Sequence, residues 1–324
     1  MSERYGRQEV LAEVGPAGQA RLAAARVLVV GAGGLGCAVL PYLAAAGVGT
    51  LAVLDPDRVE LSNLHRQPLY RMQDLGRPKV EAARAAVLAL NPQTRLEAHA
   101  TALTAANVAA WVAGHAAVVD AADSLAVSYM LSDACQRAGV ALVSASVLGL
   151  AGYVGVFCAG APSYRAVFPE MPRQAGSCAR NGVLGTAVGV MGTLQAHLVV
   201  SLLLGLEPTA RGRLWSLDFR TLHVGEVNFA RAAEPEGPAL TFIAPAEVRD
   251  SDLVIDLRGP EEAPHSPFPQ ALRLTVEALE ESPPPLPEAA RVVLCCRSGI
   301  RAWRAARVLQ ARGHTALALI ALGE

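Results

Sequence analysis

A glycine-rich turn, GAGGLG at positions 31–36, lies between a short apolar run and a helix-length segment. Glycine lets the backbone turn tightly and approach a phosphate, and the N-terminus of the following helix offers free N–H groups and the positive end of its dipole. Asp55 ends the next apolar run, where its carboxylate could bind a ribose hydroxyl. The pattern predicts a nucleotide site that includes Gly31, Gly33 and Gly34, although such a turn alone does not identify the nucleotide.

A second reactive stretch, CCRSGIR at positions 295–301, follows an apolar run and leads into an amphipathic segment. Backbone N–H groups at a helix start, together with Arg297 and Arg301, would stabilise a thiolate at Cys296. We expect Cys295 to be the last residue of the preceding strand, which makes Cys296 the candidate nucleophile.

Composition narrows the class of protein. The 324 residues suffice for about two domains, and the formal net charge of −1 provides no basic field for nucleic acid or an anionic membrane. The six cysteines are scattered without a C-x-x-C pair, which suits a reducing cytoplasm. The polar N-terminus does not resemble a signal peptide. The apolar stretch Leu194–Leu206 is short and contains His197, so we expect a buried helix there rather than a membrane span.

The elements that would position these residues alternate between strand and helix. Predicted strands cover 27–30, 50–54, 95–100, 116–119 and 140–146; predicted helices cover 37–46, 79–90, 104–114 and 124–138. This alternation predicts a doubly wound, mostly parallel α/β sheet of the Rossmann type. After residue 149 the pattern changes, and we expect an antiparallel strand at 152–158, a helix at 183–206 and a hairpin over 214–227.

The chain is predicted to hold two domains. The first covers residues 1–231, and a linker rich in proline and glutamate covers 232–240. Residues 241–324 form a second, small α/β domain with predicted strands at 253–257, 291–294 and 316–320.

Several motifs of the first domain, taken together, resemble the ubiquitin-activating-like (E1-like) adenylyltransferases of the molybdopterin and thiamine pathways. In chain order they are RYGRQ (4–8), GAGGLG (31–36), Asp55, SNLHRQ (62–67), GRPK (76–79) and DAADS (120–124). The resemblance covers roughly residues 1–230. It implies a cytoplasmic enzyme that uses MgATP to adenylate the C-terminal glycine of a ubiquitin-like sulfur carrier ending in Gly-Gly, with release of pyrophosphate.

The resemblance also implies roles for charged side chains. Attack of a carboxylate on the α-phosphorus spreads negative charge that positioned cations must neutralise. Arg7, Arg66 and Lys79 are therefore candidate phosphate clamps. The family arginine that matches Arg7 reaches the neighbouring subunit's site, so we expect a homodimer.

Acidic and polar residues complete the expected nucleotide site. Asp123 would hold Mg²⁺, Asp55 would bind the ribose with Asp57 as a second acid beside it, and Asn63 would order the loop near the phosphates. Ser124 replaces the asparagine that the family carries after this aspartate; its hydroxyl can still donate a hydrogen bond but reaches less far.

Two cysteine features separate this chain from its relatives. Many relatives bind structural zinc with two C-x-x-C pairs, but the corresponding segments here, PSYRA at 162–166 and SLDFRTLHVGEV at 216–227, contain no cysteine. Four thiolates cannot be assembled, so we predict no zinc. Cys178 matches a family cysteine that forms a thioester or disulfide with the carrier in some relatives, and nearby Arg180 would favour its thiolate.

The C-terminal domain resembles the rhodanese-like sulfurtransferases. The similar segments are DLRGPEE (256–262), PHSPFPQALRL (264–274) and CRSGIRA (296–302). The resemblance implies that Cys296 carries a persulfide received from a donor such as a cysteine desulfurase. The domain is short, and its proline-rich middle leaves open a degenerate domain kept for docking.

The sequence thus predicts adenylation of a carrier followed by sulfur transfer to form a thiocarboxylate. Two alternatives remain: adenylation of a carboxyl group on modified tRNA, and a nucleotide-binding carrier scaffold without turnover. An NAD oxidoreductase has no support beyond the glycine turn.

Overall fold

The computed structural model describes residues 3–172, 182–281, 286 and 290–323 and contains two β-sheets. The strands are β1 (Arg26–Val30), β2 (Thr50–Leu54), β3 (Arg95–His99), β4 (Ala117–Asp120), β5 (Ala141–Leu148), β6 (Ala151–Phe157), β7 (Arg213–Asp218), β8 (His223–Asn228), β9 (Thr241–Phe242), β10 (Leu253–Asp256), β11 (Leu272–Arg273), β12 (Val292–Cys296) and β13 (Leu317–Ala321). The described α-helices are α1 (Gly6–Glu9), α2 (Gly15–Ala24), α3 (Gly34–Ala45), α4 (Lys79–Leu90), α5 (Val108–Val112), α6 (Leu125–Ala138), α7 (Tyr164–Val167), α8 (Gly185–Leu204), α9 (Val276–Glu281) and α10 (Ile300–Ala311).

The larger sheet has the strand order β3-β2-β1-β4-β5-β6-β7-β8. Its first five strands are parallel, and the rest are antiparallel. Val30 is in register with both Leu54 and Asp120, so the turns after β1, β2 and β4 meet at one edge. The predicted Rossmann-like sheet is confirmed, as are the antiparallel strand after residue 149 and the hairpin.

Helix boundaries differ from the predictions at two places. α3 begins at Gly34 rather than at residue 37, so part of the glycine turn is already the first helical turn. The helix predicted over 104–114 covers only Val108–Val112. Asn107 explains the late start, because its Oδ1 accepts a hydrogen bond from the backbone N–H of Thr104 and holds 104–107 in a turn.

α8 lies against α3 and the larger sheet. A Cβ at Gly192 would come within 2.6 Å of the Leu35 carbonyl oxygen, so glycine is needed for this close helix contact. By length and composition alone α8 could cross a membrane, but half of its most apolar window is buried inside the protein. A helix packed in this way is typical of a protein core, as the sequence predicted.

The smaller sheet, of order β11-β10-β12-β13-β9, is entirely parallel. We call residues 3–231 the first unit and residues 241–323 the second unit. One core cluster contains buried side chains from both, including Tyr129 and Trp303, so the units pack directly on each other. β12 continues through Cys296, so the expectation that the strand ends at Cys295 was wrong. The domain boundaries at 231 and 241 remain a prediction.

Candidate functional site

A cavity of about 470 Å³ lies at the edge of the larger sheet where the parallel strands end. Apart from Arg7, every residue that the sequence assigned to nucleotide binding lines it: Gly31, Gly33, Gly34, Asp55, Asp57, Asn63, Arg66, Lys79, Asp123 and Ser124. These residues come from four separate segments of the chain, which the parallel register brings to a single edge.

Three glycines of the turn serve different purposes. Gly31 has a φ of +102°, and a Cβ there would come 2.5 Å from the Ala121 carbonyl oxygen. A Cβ on Gly34 would come 2.5 Å from a Val188 methyl group, so this glycine permits close packing of α8. At Gly33 the only atom of the described residues within 4 Å of a Cβ would be Gln67 Nε2, at 3.8 Å. Protein packing therefore does not require glycine at Gly33, which leaves its backbone open to a ligand in the cavity.

Asp55 braces the glycine turn. Its Oδ2 accepts a 2.7 Å hydrogen bond from the Ala32 N–H, and its Oδ1 accepts one of 2.8 Å from the Asp57 N–H. Burial raises the pKa of this carboxyl group, although the positive charge of Lys79 opposes the change. A carboxylate has further acceptor positions, so these bonds leave room for a ribose hydroxyl.

Two of the three cationic side chains that line the cavity, Lys79 and Arg66, differ in their partners. Lys79 is nearly buried, and its Nζ lies 2.6 Å from Oδ2 of the exposed Asp57. Arg66 donates to the Ser62 carbonyl at 3.1 Å and contacts the His65 ring, but it pairs with no carboxylate among the described residues. Arg66 therefore keeps an uncompensated charge that an anionic ligand could use.

Asn63 organises the loop that carries Arg66. Its Oδ1 accepts a hydrogen bond from the Glu60 N–H, and its Nδ2 donates to the Ser62 hydroxyl, both at 3.3 Å. The amide thus caps the short 3₁₀ helix Leu61–Asn63 and fixes the start of the next turn. This arrangement agrees with the loop-ordering role that the sequence suggested.

Asp123 and Ser124 follow β4 at the start of α6. Within the described parts of the chain, the exposed Asp123 carboxylate accepts no hydrogen bond and forms no ion pair. Ser124 is the N-cap residue of α6, but its side chain makes no capping hydrogen bond. Both side chains are therefore available to a ligand.

A buried carboxylate, Asp120, supports the turn that carries Asp123. Its Oδ2 accepts hydrogen bonds from the Ser128 and Ser144 hydroxyls at 2.6 and 2.8 Å, and its Oδ1 accepts one from the Ala122 N–H. Burial raises its pKa to about 6. The sequence included Asp120 in a motif without a role; the structure makes it a positioning residue.

Gln67 also lines the cavity, and the sequence did not single it out. The side chain is 2% exposed, and its Oε1 has no hydrogen-bond partner among the described residues. A buried unpaired amide oxygen is costly, so a bound molecule that donates to it would recover that cost. The available sequence signal was its place in the SNLHRQ motif.

Arg7 does not line the cavity of its own chain. It is exposed on α1, and the neighbouring Gln8 donates a hydrogen bond to the Ala46 carbonyl, just past the far end of α3. α3 starts at the cavity, and twelve helical residues span about 18 Å, so Arg7 lies near the opposite edge of the sheet.

The first of the two cysteine-free segments forms a hydrogen-bonded clasp. The Ser163 N–H and hydroxyl donate to the Glu234 carboxylate at 2.7 and 2.5 Å, which ties the predicted linker to the first unit. Within the described residues no group of three or more potential His, Cys, Asp or Glu ligands could hold a metal ion. The prediction of no zinc stays a prediction. Cys178 and Arg180 lie outside the described residues.

Cys296 lies at the end of β12, where its Sγ accepts hydrogen bonds from the Gly299 and Ala302 N–H groups at 3.2 and 3.4 Å. Arg301 lies beside this thiol, and its guanidinium is held by both oxygens of Glu262. These donors would stabilise a thiolate or a persulfide. The side chain of Cys296 is 0% exposed.

A larger cavity, of about 1,120 Å³, lies between the two units. The first unit contributes α6, β5 and the segment 168–172, and the second contributes Ser298 and the exposed face of α10. Six residues line both this cavity and the nucleotide cavity: Ala122, Asp123, Ser124, Ala145, Ser146 and Val147. The two spaces are therefore neighbours across the turn after β4.

Sequence comparison relates this arrangement to known proteins. The profile of the ThiF family matches residues 5–239. The adenylyltransferase and sulfurtransferase MOCS3 of Culex quinquefasciatus is 41% identical over 273 residues, which cover 80% of this chain and 62% of that protein. The SAMP-activating enzyme E1 of Haloferax volcanii is 43% identical and covers 67% of this chain and 81% of its own length. The sulfur carrier protein adenylyltransferase of Thermus thermophilus is also 43% identical, with 67% and 83% covered.

The chain thus spans less than two thirds of the length of the MOCS3 protein with which it is compared. Among solved structures, E. coli MccB in complex with MccA-N7isoASN has a TM-score of 0.63 and 21% identity, and the match covers 72% of this chain and 74% of MccB. At this level of identity the likeness concerns the fold.

Proposed function

The chain belongs to the ThiF family, and from this premise we propose that it adenylates the C-terminal glycine of a ubiquitin-like sulfur-carrier protein. The carrier carboxylate attacks the α-phosphorus of ATP, a P–O bond forms, and pyrophosphate leaves. A persulfide on Cys296 then supplies sulfur for a thiocarboxylate. The product would serve a pathway such as molybdopterin synthesis, thiamine synthesis or tRNA thiolation.

The observation that supports adenylation most strongly is the single cavity lined by all ten nucleotide-binding candidates. Its glycine turn leads into α3, whose first N–H groups and helix dipole favour phosphate. Arg66 and Lys79 line the same cavity and would neutralise charge that develops during attack. Asp55 would hold the ribose while its existing hydrogen bonds keep the turn in shape.

Asp123 suits a magnesium ion, because Mg²⁺ in nucleotide enzymes typically binds through one or two carboxylates together with the substrate phosphates. Its carboxylate is exposed and unpaired within the described residues, whereas Asp55 and Asp57 are already engaged. A metal ion there would offset negative charge on the reacting phosphates.

A homodimer would complete the site with Arg7. This arginine cannot reach the cavity of its own chain, since α1 lies beside the far end of α3. Val10 and Leu11, three and four residues after Arg7, are exposed and offer apolar surface for a partner subunit. We propose that Arg7 of one protomer contacts the nucleotide of the other.

The sulfur-transfer step requires one further thiol, which releases the thiocarboxylate from Cys296. The outer sulfur of the Cys296 persulfide attacks the acyl carbon, a C–S bond forms, and AMP leaves with the C–O bond electrons. A second thiolate attacks the Cys296 sulfur, which releases the thiocarboxylate and leaves a disulfide between Cys296 and that thiol. The N–H groups of Gly299 and Ala302 favour the anionic sulfur at both stages.

The relatives named above support the same reaction. Their names describe adenylyltransferases, a sulfurtransferase and an activating enzyme, and each is at least 41% identical to this chain over the matched residues. The near-neutral charge and the second unit favour a protein carrier over tRNA as the substrate.

ATP–pyrophosphate exchange tests the proposal. The full chain is incubated with MgATP and labelled pyrophosphate, with and without a small carrier ending in Gly-Gly. We expect exchange only when the carrier is present. The matched control is the same carrier without its final glycine, which should give no exchange. ATP binding without exchange for any such carrier would contradict the proposal.

A further inference from the structure

The strand alternation of β12 decides which way its cysteines face. Val292, Leu294 and Cys296 belong to the core cluster that joins the two units, whereas Val293 and Cys295 belong to a separate small cluster on the other side of the sheet. Cys296 therefore faces the side of the sheet on which α10 and the first unit lie.

Gly299 in the loop that surrounds the Cys296 sulfur packs against the first unit, whereas Arg297 and Ser298 of the same loop are exposed. Gly299 has a φ of +85°, and a Cβ there would come 3.3 Å from the Ala126 side chain on α6. The same Cβ would come 2.7 Å from the Phe242 ring of the second unit, so Gly299 is enclosed from two sides. Cys296, whose sulfur accepts a hydrogen bond from the Gly299 N–H, has no exposed surface.

α10 holds the second unit in this position through an aromatic contact. The Trp303 ring centroid lies 4.9 Å from that of Tyr129 on α6. The Arg165 guanidinium lies 4.9 Å from the Tyr129 ring and 5.5 Å from the Trp303 ring, so it bridges the two. All three side chains are nearly buried.

At the rim of this contact, Glu170 of the first unit binds two residues of α10. Its carboxylate accepts a 3.3 Å hydrogen bond from Trp303 Nε1 and lies 2.5 Å from Arg307 Nη2. Glu170 and Arg307 are each about half exposed. Substitution of either therefore changes the interface without disturbing a core.

Loading of Cys296 requires an open approach. Its thiolate must attack the outer sulfur of a donor persulfide; a new S–S bond forms, the donor's S–S bond breaks, and the donor leaves as a thiolate. An attacking sulfur with no exposed surface cannot meet a sulfur on another protein. Interfaces between units of one chain resemble transient protein interfaces, so separation is a reasonable route.

We propose that the face formed by Gly299, Trp303 and Arg307, here named the docking face, serves two partners in turn. A persulfide-carrying protein occupies it while Cys296 is loaded, and the first unit occupies it during transfer. This inference rests on the proposed function only for the identity of the donor and of the acceptor. Ser298 lines the same inter-unit cavity as Asp123 and Ser124, which makes the docked position suitable for transfer.

Two single variants that break the same ion pair from opposite sides test the inference. Glu170→Arg changes the first unit, Arg307→Glu changes the docking face, and the double variant restores opposite charges. Alkylation of Cys296 by iodoacetamide is followed in the full chain by peptide mass spectrometry. Loading by a cysteine desulfurase with cysteine is followed by the persulfide at Cys296.

Alkylation reports the opening of the interface. We expect slow alkylation in the wild type, a rate about two to five times higher in both single variants, and a rate near the wild-type value in the double variant. Cys295 and Cys37 are buried reference thiols, and their rates should stay unchanged. A wild-type Cys296 that reacts as fast as in the unfolded chain, or equal rates in all four proteins, would overturn the inference.

Loading reports whether the donor uses the docking face. The Glu170→Arg variant should acquire the persulfide faster than the wild type, because it weakens the contact of the first unit with the docking face and leaves the residues of that face unchanged. Arg307→Glu should load more slowly than Glu170→Arg, because it damages the face itself. Equal loading of the two single variants would overturn the shared face. Neither measurement needs ATP or a carrier, so a failure of adenylation leaves both readouts intact.

Discussion

The nucleotide cavity and the Cys296 thiol differ in how exposed their reactive groups are and in whether those groups already have partners. The cavity is open, and Arg66 and Asp123 display charges that no partner among the described residues neutralises. Cys296 is enclosed, and two backbone N–H groups already bind its sulfur. A small substrate that diffuses freely can enter an open site, whereas a reactive sulfur benefits from a cover that excludes water and other thiols.

The two regions also use their buried carboxylates differently. Asp120 lies beneath the nucleotide cavity. Its carboxylate pairs with no cation among the described residues and accepts hydrogen bonds from two serine hydroxyls. Asp256 lies beneath the Cys296 loop and pairs with Arg258, which donates to both carboxylate oxygens at 3.0 and 2.8 Å. Both acids brace a turn, but their pKa values move in opposite directions.

The largest effect is expected from Asp123→Ala. If the cavity is the catalytic site, loss of the magnesium ligand should lower carrier-dependent exchange by about 10³-fold or more. Asp218→Ala, which removes an exposed acid at the end of β7, is the control and should retain the wild-type rate. Near-normal exchange in Asp123→Ala would show that the cavity is not the catalytic site for adenylation, and the comparison of the two regions would then fail.

The buried carboxylates predict opposite pH effects on the free energy of unfolding. The pKa of Asp120 is raised from 3.8 to about 6, so its favourable contribution is present below pH 4 and is lost as the pH rises through 6. Between pH 4 and 7 the wild type should therefore lose about 3 kcal/mol relative to Asp120→Asn, as measured by urea unfolding at several pH values.

Asp256 should show the reverse sign. Burial opposes ionisation there, but hydrogen bonds from Arg258 and Ser266 lower its pKa below the usual value. Its contribution is present above pH 4 and is lost as the pH falls through the lowered pKa. The same slope for Asp120→Asn and Asp256→Asn would contradict the assigned environments.

A smaller effect is expected from Gln67→Met. Its unpaired Oε1 should accept a hydrogen bond from bound nucleotide, so the substitution should weaken ATP binding by about 2- to 10-fold in calorimetry. Gln195→Met is the matched control, because the Gln195 Oε1 is also buried and unpaired but lies outside the cavity. Equal ATP affinities for wild type and Gln67→Met would show that this oxygen has no ligand role.

Much of the first site could be predicted from the sequence because short sequence motifs at strand ends identify many of its residues. Apolar runs specify parallel strands, parallel strands end at one edge, and GAGGLG, Asp55 and DAADS each lie at the end of such a run. The separation of Arg7 from the cavity could not be predicted in the same way, because it depends on how α1 packs beside α3.

For the second site, the sequence predicted the loop around Cys296 but not its contact with the first unit. CRSGIR predicts the N–H donors around Cys296, whereas the packing of Gly299 and Trp303 against the first unit depends on Ala126 and Tyr129, which lie far away in the sequence. Similarly, the Ser163–Glu234 clasp joins residues 71 apart and leaves no local pattern. Contacts between units arise from tertiary packing, which motif spacing does not encode.

The most direct test of the division of labour between the two regions compares Cys296→Ser with Cys295→Ser. Both thiols are buried in β12, but they face opposite sides of the sheet. Carrier-dependent exchange and thiocarboxylate yield are measured with a persulfide donor present. We predict that Cys296→Ser keeps wild-type exchange but forms no thiocarboxylate, while Cys295→Ser keeps both. A wild-type yield of thiocarboxylate from Cys296→Ser would contradict the account.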